Sequence, residues 1–183
     1  MAFGLILDGY VDEPACFGVP PYVSPYVRAL SGVLASRDLA TRYVTCDDWR
    51  RSPRPDLVAE AAVTVVILGL TVPGRYRGGS PMTLKELRAL AELPRQGALL
   101  VGGPIHRGYA LKGGQTAVAM GRGEADCLAF GDPEAVLDHW LHLGEWDPGR
   151  RRTYRELDRW APLGAAVVCQ HPFHPRVVAE LEL

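Results

Sequence analysis

The stretch Val63-Thr64-Val65-Val66-Ile67-Leu68, running into Gly69-Leu70-Thr71, decides the fold. It is short, rich in β-branched residues and free of the polar alternation that marks a half-exposed strand. Such a run reads as a strand buried on both faces of a parallel sheet. Three other runs share its form: Phe3 to Leu7 into Asp8-Gly9, Ala98 to Val101 into Gly102-Gly103, and Cys127 to Phe130 into Gly131-Asp132. Each ends in glycine beside a small or acidic residue. Glycine there permits tight turns and close approach of a ligand to the backbone. In open α/β sheets the ligand crevice lies outside these carboxyl ends. The alternative is that the glycines only make the strand-to-helix turns.

Helical patterns separate the strands. Ser24 is placed to cap a helix with Pro25 at its first position, running to about Ser36 with Val27, Leu30, Val33 and Leu34 on one face. A strand is expected at Ala40 to Thr45, a short helix capped by Asp47 or Asp48, and a helical turn at Asp56 to Ala61. Thr83 with Glu86 forms a capping box for a helix facing inward through Leu84, Leu87, Leu90 and Leu93. A short helix at Gln115 to Met120 follows, and Asp132 caps a helix over Pro133 to Leu143. The β-α alternation predicts a Rossmann-like, doubly wound, mostly parallel α/β sheet over residues 1–145. Residues 146–183 read as an extension: a short helix at Tyr154 to Trp160, a strand at Ala165 to Cys169, a turn at His171 to Pro175 and a strand at Val177 to Leu183.

Composition excludes several function classes. A net charge of -1 in 183 residues gives no electrostatic reason to expect nucleic acid or an anionic membrane. Arg150-Arg151-Arg152 lies among Glu145, Asp147, Glu156 and Asp158 and reads as a solvated helix start. No apolar run approaches the ~20 residues of a membrane span, and no signal-peptide core is present, so a cytoplasmic location is expected. Cys16, Cys46, Cys127 and Cys169 have no C-x-x-C spacing and read as buried, inert thiols, with Cys16 in a loop the exception.

No catalytic motif stands out. The chain has no G-x-S-x-G, P-loop or H-E-x-x-H pattern, and no G-x-G-x-x-G after its first strand. His139 and His142 have a spacing that can share a metal, but no third ligand is evident and the expectation is no metal site. His171 and His174 show no obvious partners. His106, after Gly102-Gly103, is within reach of the crevice or is a surface loop residue. Asp8 either faces a ligand or caps its own loop.

Taken together, these residues resemble a family. The opening Leu7-Asp8-Gly9-Tyr10-Val11-Asp12-Glu13-Pro14-Ala15-Cys16, continuing through Pro20-Pro21-Tyr22 to Ser24-Pro25-Tyr26, resembles the cobalamin-binding-type N-terminal domain of certain archaeal radical S-adenosylmethionine proteins. Thr71-Val72-Pro73-Gly74, Gly102-Gly103-Pro104-Ile105, Gly123 to Asp126 with Gly131-Asp132-Pro133-Glu134, Tyr154 to Ala161 and Gln170-His171-Pro172 extend it over nearly the whole chain. The resemblance implies cobalamin as cofactor, with Asp8, Gly9, Gly69, Leu70, Thr71, Gly102, Gly103, Pro104 and His106 around it. The backbones of Gly69-Leu70-Thr71 and Gly102-Gly103 would line its nucleotide tail.

Family cobalamin domains carry D-x-H-x-x-G after the first strand, where this chain has Asp8-Gly9-Tyr10, so no axial histidine is expected from that loop. The resemblance also implies a radical S-adenosylmethionine catalytic barrel as partner, in cis or in trans. S-adenosylmethionine and an iron–sulfur cluster would belong to that barrel. The cysteine spacings here do not fit the cluster, so this chain is expected to be non-catalytic alone, as an isolated or shortened domain. The alternatives are a docking domain that binds a catalytic partner and no cofactor, and a free-standing enzyme using Asp8 and His106.

Overall fold

A computed structural model describes residues 1–9, 24–68, 81–104 and 123–172. Five strands form one all-parallel sheet: β1 (Phe3–Asp8), β2 (Ala40–Thr45), β3 (Val63–Ile67), β4 (Ala98–Gly102) and β5 (Cys127–Leu128). Their order is β2-β1-β3-β4-β5. Helices α1 (Pro25–Ala35), α2 (Cys46–Arg51), α3 (Pro55–Glu60), α4 (Leu84–Ala91), α5 (Pro133–Leu143) and α6 (Tyr154–Gly164) flank it. The fold is the doubly wound α/β sheet that the apolar runs predict.

Alternation along the strands sorts side chains into two cores. Ile6, Tyr43, Val65, Ile67 and Leu100 pack against α1, α5 and α6 on one face. Leu5, Leu7, Val44, Val66, Leu99 and Val101 pack against α3 and α4 on the other. The interior of β3 is buried throughout because it has a strand on each side and a helical layer on each face.

Helix α6 joins the first face. A Cβ on Gly32 of α1 would stand 1.9 Å from the Trp160 carbonyl, and one on Gly164 of α6 would stand 1.9 Å from the Arg28 carbonyl. These two glycines let the helix backbones touch, and Trp160 is fully buried beside them. A capping box of Thr153 and Glu156 starts α6 three residues after Arg150, and the helix runs past the expected Trp160 to Gly164.

Four local expectations are corrected. The Ser24 and Asp132 side chains make no cap hydrogen bond; Asp132 Oδ2 instead accepts from the Arg152 N–H at 2.8 Å. Thr45, not Asp47 or Asp48, caps α2 by accepting from the Asp48 N–H. Ala165–Gln170 is a 3-10 helix and not a strand, continuing directly from α6. Arg150-Arg151-Arg152 is not simply solvated: Arg150 meets Glu156 at 3.1 Å, and Arg152 pairs with the fully buried Glu134. Burial pushes the Glu134 carboxyl above its ordinary range, against the pull of that guanidinium. The expected elements at Gln115–Met120 and Val177–Leu183 lie outside the described residues.

Candidate functional site at the carboxyl edge of the sheet

The chain crosses from β1 outward to β2 on one side, and from β3 outward to β4 on the other. Between β1 and β3 the winding therefore reverses, which is where such sheets open a crevice. Asp8 ends β1 at this point, paired in register with Thr45 on one side and Ile67 on the other. It is fully buried, and its Oδ2 accepts a hydrogen bond from the Tyr43 phenol at 3.0 Å. Tyr43 pairs with Ile6, two residues before Asp8, so both side chains lie on the same sheet face. The cross-strand tyrosine is a partner that neither reading of Asp8 anticipated.

Gly9 extends the β1–β3 ladder by one bond, its N–H donating to the Ile67 carbonyl at 2.9 Å. Its own carbonyl accepts from the Met82 N–H at 3.0 Å and from the Cys46 thiol at 3.5 Å. Burial pushes the Cys46 thiol up to about 12, so it remains a donor and is no nucleophile at neutral pH. Close by, the Arg50 guanidinium donates to both Glu86 oxygens (2.6 and 2.9 Å), to Asp47 (2.8 Å) and to the Pro81 carbonyl (3.3 Å). Glu86 is also the acid of the predicted capping box, which the structure bears out: its carboxylate accepts the Thr83 N–H at 2.7 Å. Held by Arg50 first and by Thr83, its carboxyl falls to about 2. This network fastens α2 to the start of α4.

Gly102-Gly103-Pro104 reaches the same edge from β4. The Gly102 carbonyl accepts from the Leu68 N–H at 2.9 Å, and Gly103 takes φ +93°, a left-handed conformation that favours glycine. A Cβ on Gly102 would stand 2.5 Å from Pro133 Cβ; on Gly9 it would stand 2.2 Å from the Ile67 carbonyl oxygen. At Gly131 the obstacle is the Arg150 carbonyl at 1.9 Å. Protein atoms thus fill the space beside each of these three glycines, which accounts for them by packing.

Asp8, Gly9, Gly102, Gly103 and Pro104 are therefore gathered at one edge. Gly69, Leu70, Thr71 and His106 lie outside the described residues, as do Cys16 and His174. Tyr43, Cys46, Arg50 and Glu86 complete the edge and were not anticipated as site residues. The signal for Tyr43 was present: Thr41, Tyr43 and Thr45 alternate onto one face of a strand that a parallel sheet sets beside Asp8.

Elsewhere, His142 Nδ1 lies 3.2 Å from Arg37 Nη1. His171 is buried with its ring 6.2 Å from that of Tyr43, so it has the neighbour that the sequence did not reveal. Cys127 is buried as expected, whereas Cys169 is exposed. No group of three or more metal-ligating side chains occurs among the described residues, and no helix among them is long and apolar enough to cross a membrane.

No family model matches the chain, and no solved structure matches it. It is similar to an uncharacterized protein of Methanocaldococcus jannaschii, 37% identical over 184 residues that cover 97% of this chain and 34% of the relative. It is similar also to an uncharacterized protein of Archaeoglobus fulgidus, 36% identical over 185 residues that cover 97% of this chain and 31% of the relative. The chain spans about a third of the length of these curated relatives.

Proposed function

We propose that this chain is a cobalamin-binding-type module of a radical S-adenosylmethionine enzyme, non-catalytic alone, with its ligand across the carboxyl edge between β1, β3 and β4. The observation that carries the ligand position is topological. Asp8, Ile67 and Gly102 end three adjacent strands at the point where the winding reverses. Such sheets open their ligand crevice outside the carboxyl ends at the reversal of winding. The cobalamin assignment rests on the resemblance of the opening stretch and of Gly102-Gly103-Pro104.

A cobalamin at this edge would be held by its periphery and tail. Asp8 places a buried carboxylate, held by the Tyr43 phenol, at the switch point, and Gly103 turns the chain there through a left-handed conformation. Cobalamin would supply a methyl-carrying cobalt, and the catalytic barrel would act in cis or in trans. Mixing the protein with hydroxocobalamin, removing free cofactor and recording the visible spectrum tests this reading. Retained corrinoid absorption in stoichiometric amount supports it, and a colourless protein refutes it.

One observation favours a second reading, a docking domain without cofactor: protein atoms already fill the space beside Gly9, Gly102 and Gly131. On that reading the same chain stays colourless yet binds a separately produced catalytic domain.

A further inference from the structure

A shallow concavity of about 670 Å³, open to solvent, lies at the other end of the sheet, where Gly97 and Ala98 begin β4. Five-residue β4 separates it from Gly102, roughly 3.3 Å per residue, so one small ligand cannot reach both ends. Its wall is a pair of tryptophans. Trp140 lies in the last turns of α5, and Gly144 at φ +76° turns the chain so that Trp146 returns over it. The two rings are parallel within 5°, with centroids 4.7 Å apart. Both are only half-buried, at the margin of the core, and both line the concavity.

The polar lining is fixed and electrically balanced. Arg95 donates to the Ala91 carbonyl and stands 3.6 Å from Asp126 Oδ2, which also accepts from the Leu99 N–H at 2.7 Å. One guanidinium and one carboxylate side by side give no net charge to attract an ion. Exposed Gln96 adds a carboxamide that both donates and accepts. The site is open to solvent, and the outer face of a stacked indole pair can take a flat ring.

We propose that this concavity is a second ligand site, taking an uncharged planar heteroaromatic ring with hydrogen-bonding edges, of the nucleoside class. The ring stacks on the tryptophan wall while Gln96, Arg95 and Asp126 meet its donors and acceptors. The site is independent of any cofactor at the carboxyl edge.

The chain has four tryptophans, so its indole N–H resonances report the site directly. In ¹⁵N-labelled protein titrated with adenosine, guanosine, cytidine and uridine, at least one is expected to move the Trp140 and Trp146 signals saturably. Trp49 and the fully buried Trp160 should stay in place. Assignment comes from Trp140→Phe and Trp146→Phe. Gln96→Ala should weaken binding at least threefold while leaving the remaining spectrum native. Three results would overturn the proposal: no shift at millimolar nucleoside, equal movement of all four indoles, or affinity unchanged in Gln96→Ala. Shifts produced by methyl glucoside and by no nucleoside would overturn the ligand class.

Discussion

The side-chain amide of Gln170 pairs with Tyr43 as the backbone of a sixth strand would. Its Oε1 accepts the Tyr43 N–H at 2.9 Å, and its Nε2 donates to the Thr41 carbonyl at 3.1 Å. β2 is one of the two edge strands, and an open edge is a template for unwanted pairing. The 3-10 helix closes it with one side chain. Tyr43 in turn donates its phenol to Asp8, so a single residue connects the tail to the switch point.

Gln170→Ala should remove both bonds and reopen that edge. The expected cost is about 1 kcal/mol, since each such bond is worth ~0.5–1.5 kcal/mol net and water replaces part of it at this exposed position. Hydrogen exchange at the Tyr43 amide should quicken while exchange in β3 holds. An unchanged Tyr43 rate would show that the amide does not guard the edge.

Two glycine substitutions should differ sharply. Gly32→Ala drives a methyl to 1.9 Å from the Trp160 carbonyl and must part α1 from α6, for about 3 kcal/mol or more. Gly144→Ala meets nothing within 4 Å and bears only the left-handed backbone cost of about 1–2 kcal/mol. Urea unfolding of the two variants measures the gap. Equal losses would mean that α1 and α6 do not meet as described.

Acid should weaken the Arg50–Glu86 tie. The Glu86 carboxyl sits near 2 in the folded chain against an ordinary 4.5, chiefly through its hydrogen bond from Arg50. A depressed carboxyl stabilises the fold above its unfolded value, and that contribution is lost as pH falls from about 4.5 toward 2. Glu86→Gln should therefore be less stable than the parent at neutral pH, with the difference shrinking through this window. A difference independent of pH would place the effect of Glu86 outside its charge.

The fold was legible because each layer has a local signature. The run Val63 to Leu68 carries the burial of a central strand, Ala40 to Thr45 keeps its expected bounds, and the Thr83–Glu86 box marks its helix start. Readings failed where two residues compete for one role. Thr45 precedes Asp47 and captures the cap, and Asp132 spends its carboxylate on the Arg152 backbone. The apolar run at Ala165 to Cys169 suits a strand or a tight helix equally, and continuity with α6 decides it. The site was half legible. Asp8 and the paired glycines announce the edge, but Tyr43, Arg50 and Glu86 join it through register and tertiary approach, which spacing along the chain does not encode.

Differential hydrogen exchange with and without hydroxocobalamin tests most directly whether a cobalamin-type ligand binds at the carboxyl edge. Protection is expected in the peptides that hold Asp8-Gly9, Leu68 and Gly102-Gly103-Pro104, while α5 and the Trp140–Trp146 end of the sheet keep their rates. Exchange unchanged at all three strand ends under saturating hydroxocobalamin would contradict it.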